Sequence, residues 1–151
     1  MIKLDRILVP TDFSEHAGTA LQHAKALAER FDSELHLLYV MQDVVATVPA
    51  ASGLIFASAG DFIVELRRDA EKAMKKLVDT VGLAGKQLVT EIRGGQPFLE
   101  IVRYARETDV DLVVIATHGR TALAHVLMGS VADKVIRGAE TPVLVYYPPD
   151  A

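Results

Sequence analysis

Short apolar runs alternate along the whole chain with longer stretches of helical period, and this restricts the sequence to an α/β fold. Arg6–Pro10, Glu34–Val40, Gln87–Arg93, Asp111–Ala116 and Pro142–Tyr147 read as strands. Between them, Glu15–Phe31, Asp61–Val81, Pro97–Glu107 and 130–138 read as helices. In the first helix Ala17, Ala20, Leu21, Ala24, Leu27, Ala28 and Phe31 fall on one stripe, with Ser14 as N-cap. In the second, Phe62, Leu66, Ala70, Ala73, Met74, Leu77 and Val81 face inward, and Gly82 and Gly85 end it. Phe98, Ile101, Val102 and Ala105 line the third, which starts on Pro97. Strict alternation implies a mainly parallel sheet with right-handed crossovers. With no internal repeat or linker, residues 1–151 form one domain, long enough to bury a real core. The segment Met41–Gly60, rich in Ala, Ser, Val and Gly, follows neither period and reads as a long connection.

Composition removes several function classes. The net charge is −4 and no basic block occurs, which argues against nucleic acid as a partner. There is no cysteine, so disulfides, thiol nucleophiles and zinc-thiolate sites are all out. The first residues are charged, and the apolar Ile7–Val9 is far too short for a signal peptide. The weakly polar stretch from Val44 to Ala59 is broken by Pro49 and Gly53 and falls short of the roughly 20 residues of a membrane helix. The expectation is a cytoplasmic protein with no membrane association.

The chemistry concentrates at two strand ends. Strand one runs into Pro10-Thr11-Asp12-Phe13-Ser14, and strand four into Ala116-Thr117-His118-Gly119. Gly129 follows, then the hydroxyl of Ser130 and a helical pattern. A strand ending in a glycine turn, and a Gly-Ser pair opening a helix, are the two parts of a backbone anion site that favours phosphate. A carboxylate such as Asp12 at a strand's carboxyl end accepts ribose hydroxyls in dinucleotide folds; the alternative is that it caps the first helix or forms an Asx-turn with Ser14. Ser130 and Asp133 are spaced like a capping box, which would compete for the same first-turn donors. Valine at Gly129 is expected to fill the phosphate space and leave the fold intact. The P-loop, G-x-G-x-x-G and G-x-S-x-G patterns are all missing, and no catalytic residues are assigned.

Together the two strand ends resemble the universal stress protein family. The resemblance runs from Arg6–Ser14 at one end to Asp111–Val145 at the other. Nucleotide-binding members carry Gly-x2-Gly-x9-Gly-[Ser/Thr]; here the pattern reads Ala116-x2-Gly119-x9-Gly129-Ser130, with alanine for the first glycine. The resemblance implies a single-domain, Rossmann-like, adenine-nucleotide α-hydrolase-like fold. Its five-stranded parallel open sheet would run in the order 3-2-1-4-5, with helices on both faces. It also implies an ATP site across strands one and four, with Mg²⁺ on the phosphates. Asp12 would then face the ribose or base, Pro10 and Thr11 would pack nearby, and Val40 would offer backbone groups to adenine. Ala116, His118 and Gly119 would wall the sugar and phosphates, while Gly129, Ser130 and Val131 hold the triphosphate. Arg120 either supplies counter-charge to a phosphate or lies in solvent. A strand residue has negative φ, so Ala116 is sterically allowed.

His16 with His23, and His118 with His125, are each seven residues apart, so about 10 Å apart on a helix, too far to share a metal. No metal site is expected from the protein's own side chains. The last strand, Pro142–Tyr147, is apolar, uncharged and placed at a sheet edge, which invites pairing with a second copy. The resemblance also points to a homodimer through it. The expected function is ATP binding by a stress-response or signalling regulator that acts on a protein partner, with slow ATP hydrolysis at most. The alternative is an interaction module that acts through dimerisation without nucleotide.

Overall fold

The computed structural model describes residues 2–42, 56–83, 87–118 and 128–149. The chain order is β1 (Arg6–Thr11), α1 (Glu15–Phe31), β2 (Glu34–Met41), α2 (Phe56–Val81), β3 (Leu88–Gly94), α3 (Pro97–Glu107), β4 (Leu112–Ala116), α4 (Ser130–Gly138) and β5 (Val143–Tyr146). All five strands are parallel, in the order β3-β2-β1-β4-β5. Strands one and four are therefore neighbours, with Ile7 opposite Leu112 and Leu8 opposite Val113. Asp111 fastens the start of this pairing: its Oδ2 accepts from the amides of Asp5 at 2.7 Å and Arg6 at 3.0 Å.

Alternate residues of the central strands enter opposite core layers, because a parallel sheet is covered on both faces. Ile7, Val9, Leu35, Leu37 and Val114 pack with Leu21 and Ala24 of α1 and Met74 and Val81 of α2. Leu8, Leu38, Val113 and Ile115 pack with Ile101, Tyr104 and Ala105 of α3 and Ala132 and Val135 of α4. Helix ends carry their own stops. Ser14 Oγ caps α1 by accepting from Ala17 N, and Asp32 in left-handed backbone closes its far end. Beyond α2, Gly82 takes φ +70°, and Lys25 Nζ donates to the Val81 carbonyl at 3.0 Å.

Two expectations about α2 need correction. The helix begins at Phe56 rather than Asp61, so the connection after β2 is shorter than the composition of Met41–Gly60 suggests. Phe56-Ala57-Ser58-Ala59-Gly60 carries no apolar period, yet these residues take helical backbone as the first turns of a long helix. Phe62, expected inward, is half exposed, and Ile63 and Val64 beside it are exposed as well. From Gly60 onward, the first firmly buried residue of this helix is Ala70. Phe31, the last residue of the α1 stripe, is likewise exposed.

A polar cluster lies within the α3 layer at the β2–β3 flank. His36 on β2 is buried, with Nδ1 2.7 Å from the Tyr104 hydroxyl and Nε2 2.7 Å from Glu34 Oε1. The Arg93 guanidinium lies 4.8 Å from the Tyr104 ring centre and bonds Glu107 at 2.8 Å. Burial pushes the Tyr104 hydroxyl above its ordinary value of 10.0, and Glu91 adds to that while Arg93 opposes it. No helix among the described residues is long and apolar enough to cross a membrane.

Candidate functional site

The connection from β1 to α1 is a turn built by its own side chains. Phe13 N donates to Thr11 Oγ1 at 3.0 Å, and Ser14 N donates to Asp12 Oδ1 at 3.0 Å. Between them Phe13 holds a left-handed φ of +62°, and its ring stacks 4.6 Å from Tyr39 at the end of β2. The Asx-turn reading of Asp12 is thus realised. Such a turn presents Asp12, half-buried, at the carboxyl end of the sheet's central strand.

On the neighbouring strand, Ala116 ends β4 opposite Tyr146, and its methyl packs toward the α1–α2 layer. It is absent from the positive-φ residues, so alanine fits there. Thr117 carries the ladder one residue further, its N–H donating to the Tyr146 carbonyl at 3.0 Å. Its hydroxyl is buried against His118, with Oγ1 2.8 Å from Nδ1.

The N-terminus of α4 is drawn onto this strand end, where Gly129 N donates to the Thr117 carbonyl. A Cβ on Gly129 would stand 2.7 Å from that carbonyl oxygen and 3.8 Å from His118 Cα. Glycine is therefore required by the fold itself. The expectation that Gly129→Val leaves the fold intact fails for this reason.

Gly129 is itself the N-cap, and it has no side chain to satisfy the first-turn amides. The first intrahelical bond runs from Asp133 N to the Gly129 carbonyl at 3.0 Å. Ser130, Val131 and Ala132 precede it, so their N–H groups have no helical partner. The capping box does not form: Ser130 is the first helical residue, and Asp133 pairs with Arg137 at 3.1 Å instead. Val131 turns its side chain toward the α3–α4 layer, which leaves its backbone for the site.

The structure thus brings Pro10, Thr11 and Asp12 beside Ala116 and His118, with Gly129, Ser130 and Val131 against the same strand end. His16 in the first turn of α1 reaches across, its ring centre 6.4 Å from that of His118. Val40 lies one strand further on, in β2, with its side chain buried in the α3–α4 layer and only backbone to offer. Gly119 and Arg120 lie outside the described residues. Sequence reasoning missed the Phe13–Tyr39 stack and the pairing of His16 with His118, since both join separate elements and leave no spacing to read. A cavity of about 200 Å³ opens beside Arg106 and Glu140, at the amino ends of β4 and β5 and away from this site.

An α/β sheet with its chemistry at the switch between β1 and β4 defines the class, since ligands of open sheets sit where strand order reverses. The model of the universal stress protein family matches residues 3–146, and the chain belongs to that family. It is 37% identical over 145 residues to universal stress protein MJ0531 of Methanocaldococcus jannaschii, covering 95% of this chain and 82% of that one. Among solved structures, protein MJ0577 of the same organism matches with TM-score 0.84 at 31% identity, over 97% of this chain and 98% of that one. Universal stress protein UspA from Lactobacillus plantarum matches with TM-score 0.81 at 28% identity, over 95% and 97%.

Proposed function

We propose that the chain binds ATP across the ends of β1 and β4, with Mg²⁺ on the phosphates, and serves as a stress-response or signalling regulator. The observation that carries this reading is the uncapped N-terminus of α4, held by Gly129 against the end of β4 beside the Asp12 turn. The amides of Ser130 and Val131 are donors aimed by the helix at an anion, and the macrodipole adds to their pull. Asp12 accepts the ribose hydroxyls, with Pro10 and Thr11 packed beside it. Val40 offers backbone to adenine. Ala116, His118 and Gly119 wall the sugar and phosphates, and Arg120 supplies counter-charge. We read binding rather than rapid turnover, because hydrolysis needs a placed water and charge stabilisation at the γ-phosphate, and these residues provide donors without an evident base.

The regulator is a cytoplasmic homodimer in this reading, joined through the outer edge of β5, and its ligand state sets the surface offered to a protein partner. Leu144 in that strand and Tyr147 just beyond it are exposed, as an edge awaiting a second copy would have them. Equilibrium titration with ATP and Mg²⁺ tests the proposal. Saturable binding supports it, and no measurable affinity at millimolar nucleotide sinks it. The second reading, an interaction module without nucleotide, has Ala116 in its favour; it gains if purified protein retains no adenine nucleotide and shows no thermal shift with ATP.

A further inference from the structure

We propose that Phe13 is a positioning residue of the nucleotide site: its ring, stacked on Tyr39, holds the left-handed turn that presents Asp12 at the end of β1. The inference rests on the reading of that site as one for ATP. Phe13 lies between Asp12 and the N-cap Ser14 and takes φ +62°. Left-handed backbone is costly for a bulky side chain, and such strain persists only where the surroundings over-determine it. The other non-glycine residues with positive φ among the described residues, Asp32 and Asp109, stand at helix ends, where aspartate tolerates a left-handed stop. Phe13 is aromatic and precedes a helix, so its turn needs another support.

Tyr39 supplies that support. The two ring centres are 4.6 Å apart, with the planes tilted by 43°. Within the sheet Tyr39 pairs with Thr11 of β1 on one side and Ile92 of β3 on the other, so its backbone is fixed from both sides. Both rings pack against the α1–α2 core layer. The stack thus ties residue 13 back to the ladder that the chain has just left at Thr11. Two hydrogen bonds depend on this path of the chain, Phe13 N to Thr11 Oγ1 and Ser14 N to Asp12 Oδ1, each 3.0 Å. The second fixes an oxygen of Asp12 itself, so the conformation of residue 13 decides where that carboxylate points. Phe13 acts on the ligand through Asp12 rather than by touching it.

Calorimetric titration with ATP and Mg²⁺, together with amide hydrogen exchange at Ser14 in nucleotide-free protein, tests the role. Phe13→Ala and Tyr39→Ala should each weaken ATP binding about tenfold, the worth of the charge-assisted bond that a misaimed carboxylate loses. Both should speed exchange at Ser14, while Val9 inside the β1 ladder keeps its protection. Tyr39→Phe keeps the ring and should rescue both readouts. In a chain that already carries Asp12→Asn, Phe13→Ala should cost little more, because the two residues act as one unit. Undiminished affinity in Phe13→Ala, unchanged exchange at Ser14, or a fully additive loss in the double variant overturns the inference. A parent that binds no ATP sinks the site reading instead, and the exchange comparison, made without nucleotide, still decides whether the ring holds the Asp12 turn.

Discussion

In the proposed site Asp12 has two roles, and a single substitution separates them. One of its oxygens closes the turn onto Ser14 N, a job that an asparagine oxygen performs equally well. Asp12→Asn should therefore keep the melting temperature while ATP affinity falls about tenfold, the worth of a charge-assisted hydrogen bond. Calorimetry and a thermal melt on the same sample check both halves, and a lower melting temperature with intact affinity would reverse the assignment. Tyr104 offers a second test. Its hydroxyl is raised above 10.0 by burial, so unfolded chains ionise first as pH climbs. Stability is then full below about pH 10 and lost as pH rises from there through the folded value. Tyr104→Phe should flatten that alkaline loss in urea melts at pH 9 and pH 11, at the cost of the contact with His36.

At the scale of elements, what the sequence reveals depends on whether burial leaves a pattern. The central strands are buried on both faces, so Ile7-Leu8-Val9 and Val113-Val114-Ile115 stand out as unbroken apolar runs. α3 was legible to its ends because Pro97 opens it and its apolar residues keep helical spacing. The start of α2 was not, since Ala57-Ser58-Ala59-Gly60 carries no apolar spacing to mark a face. Nor were His36, Glu100 and Tyr104 legible as buried groups, because a polar side chain in the sequence carries no mark of the partners that bury it. Of the site, the strand ends and the glycine spacing were readable, while the adjacency of β1 and β4 came only through the family. Asp111 reinforces the start of that adjacency by taking two amides of the β1 entry. Asp111→Ala should destabilise the fold by about 1–3 kcal/mol in urea unfolding and leave the strand ends at the site in place.

For the whole molecule, the order β3-β2-β1-β4-β5 leaves two outer strands of different character. The β3 flank is guarded by charge, with Arg93 pairing Glu107 and Glu100. Leu144 and Tyr147 give the β5 side an apolar character that the proposed dimer would use. Leu144→Lys places a charge on that exposed position, and such charges block edge-to-edge pairing. Light scattering after gel filtration should show the variant as a monomer at concentrations where the parent is a dimer; a parent that is already monomeric refutes the interface.

The adjacency of β1 and β4 also sets a timetable. Ile7 meets Leu112 only when more than two thirds of the chain has been made, and the α4 amides follow later still. During synthesis β1 therefore waits with one edge unpaired, in a topology of long-range contacts that folds slowly. A nascent chain arrested before β4 would expose that edge to chaperones or to other chains, and it would hold Asp12 with no opposite wall. The proposed ligand site is thus completed late and all at once, as a sign that the sheet has closed.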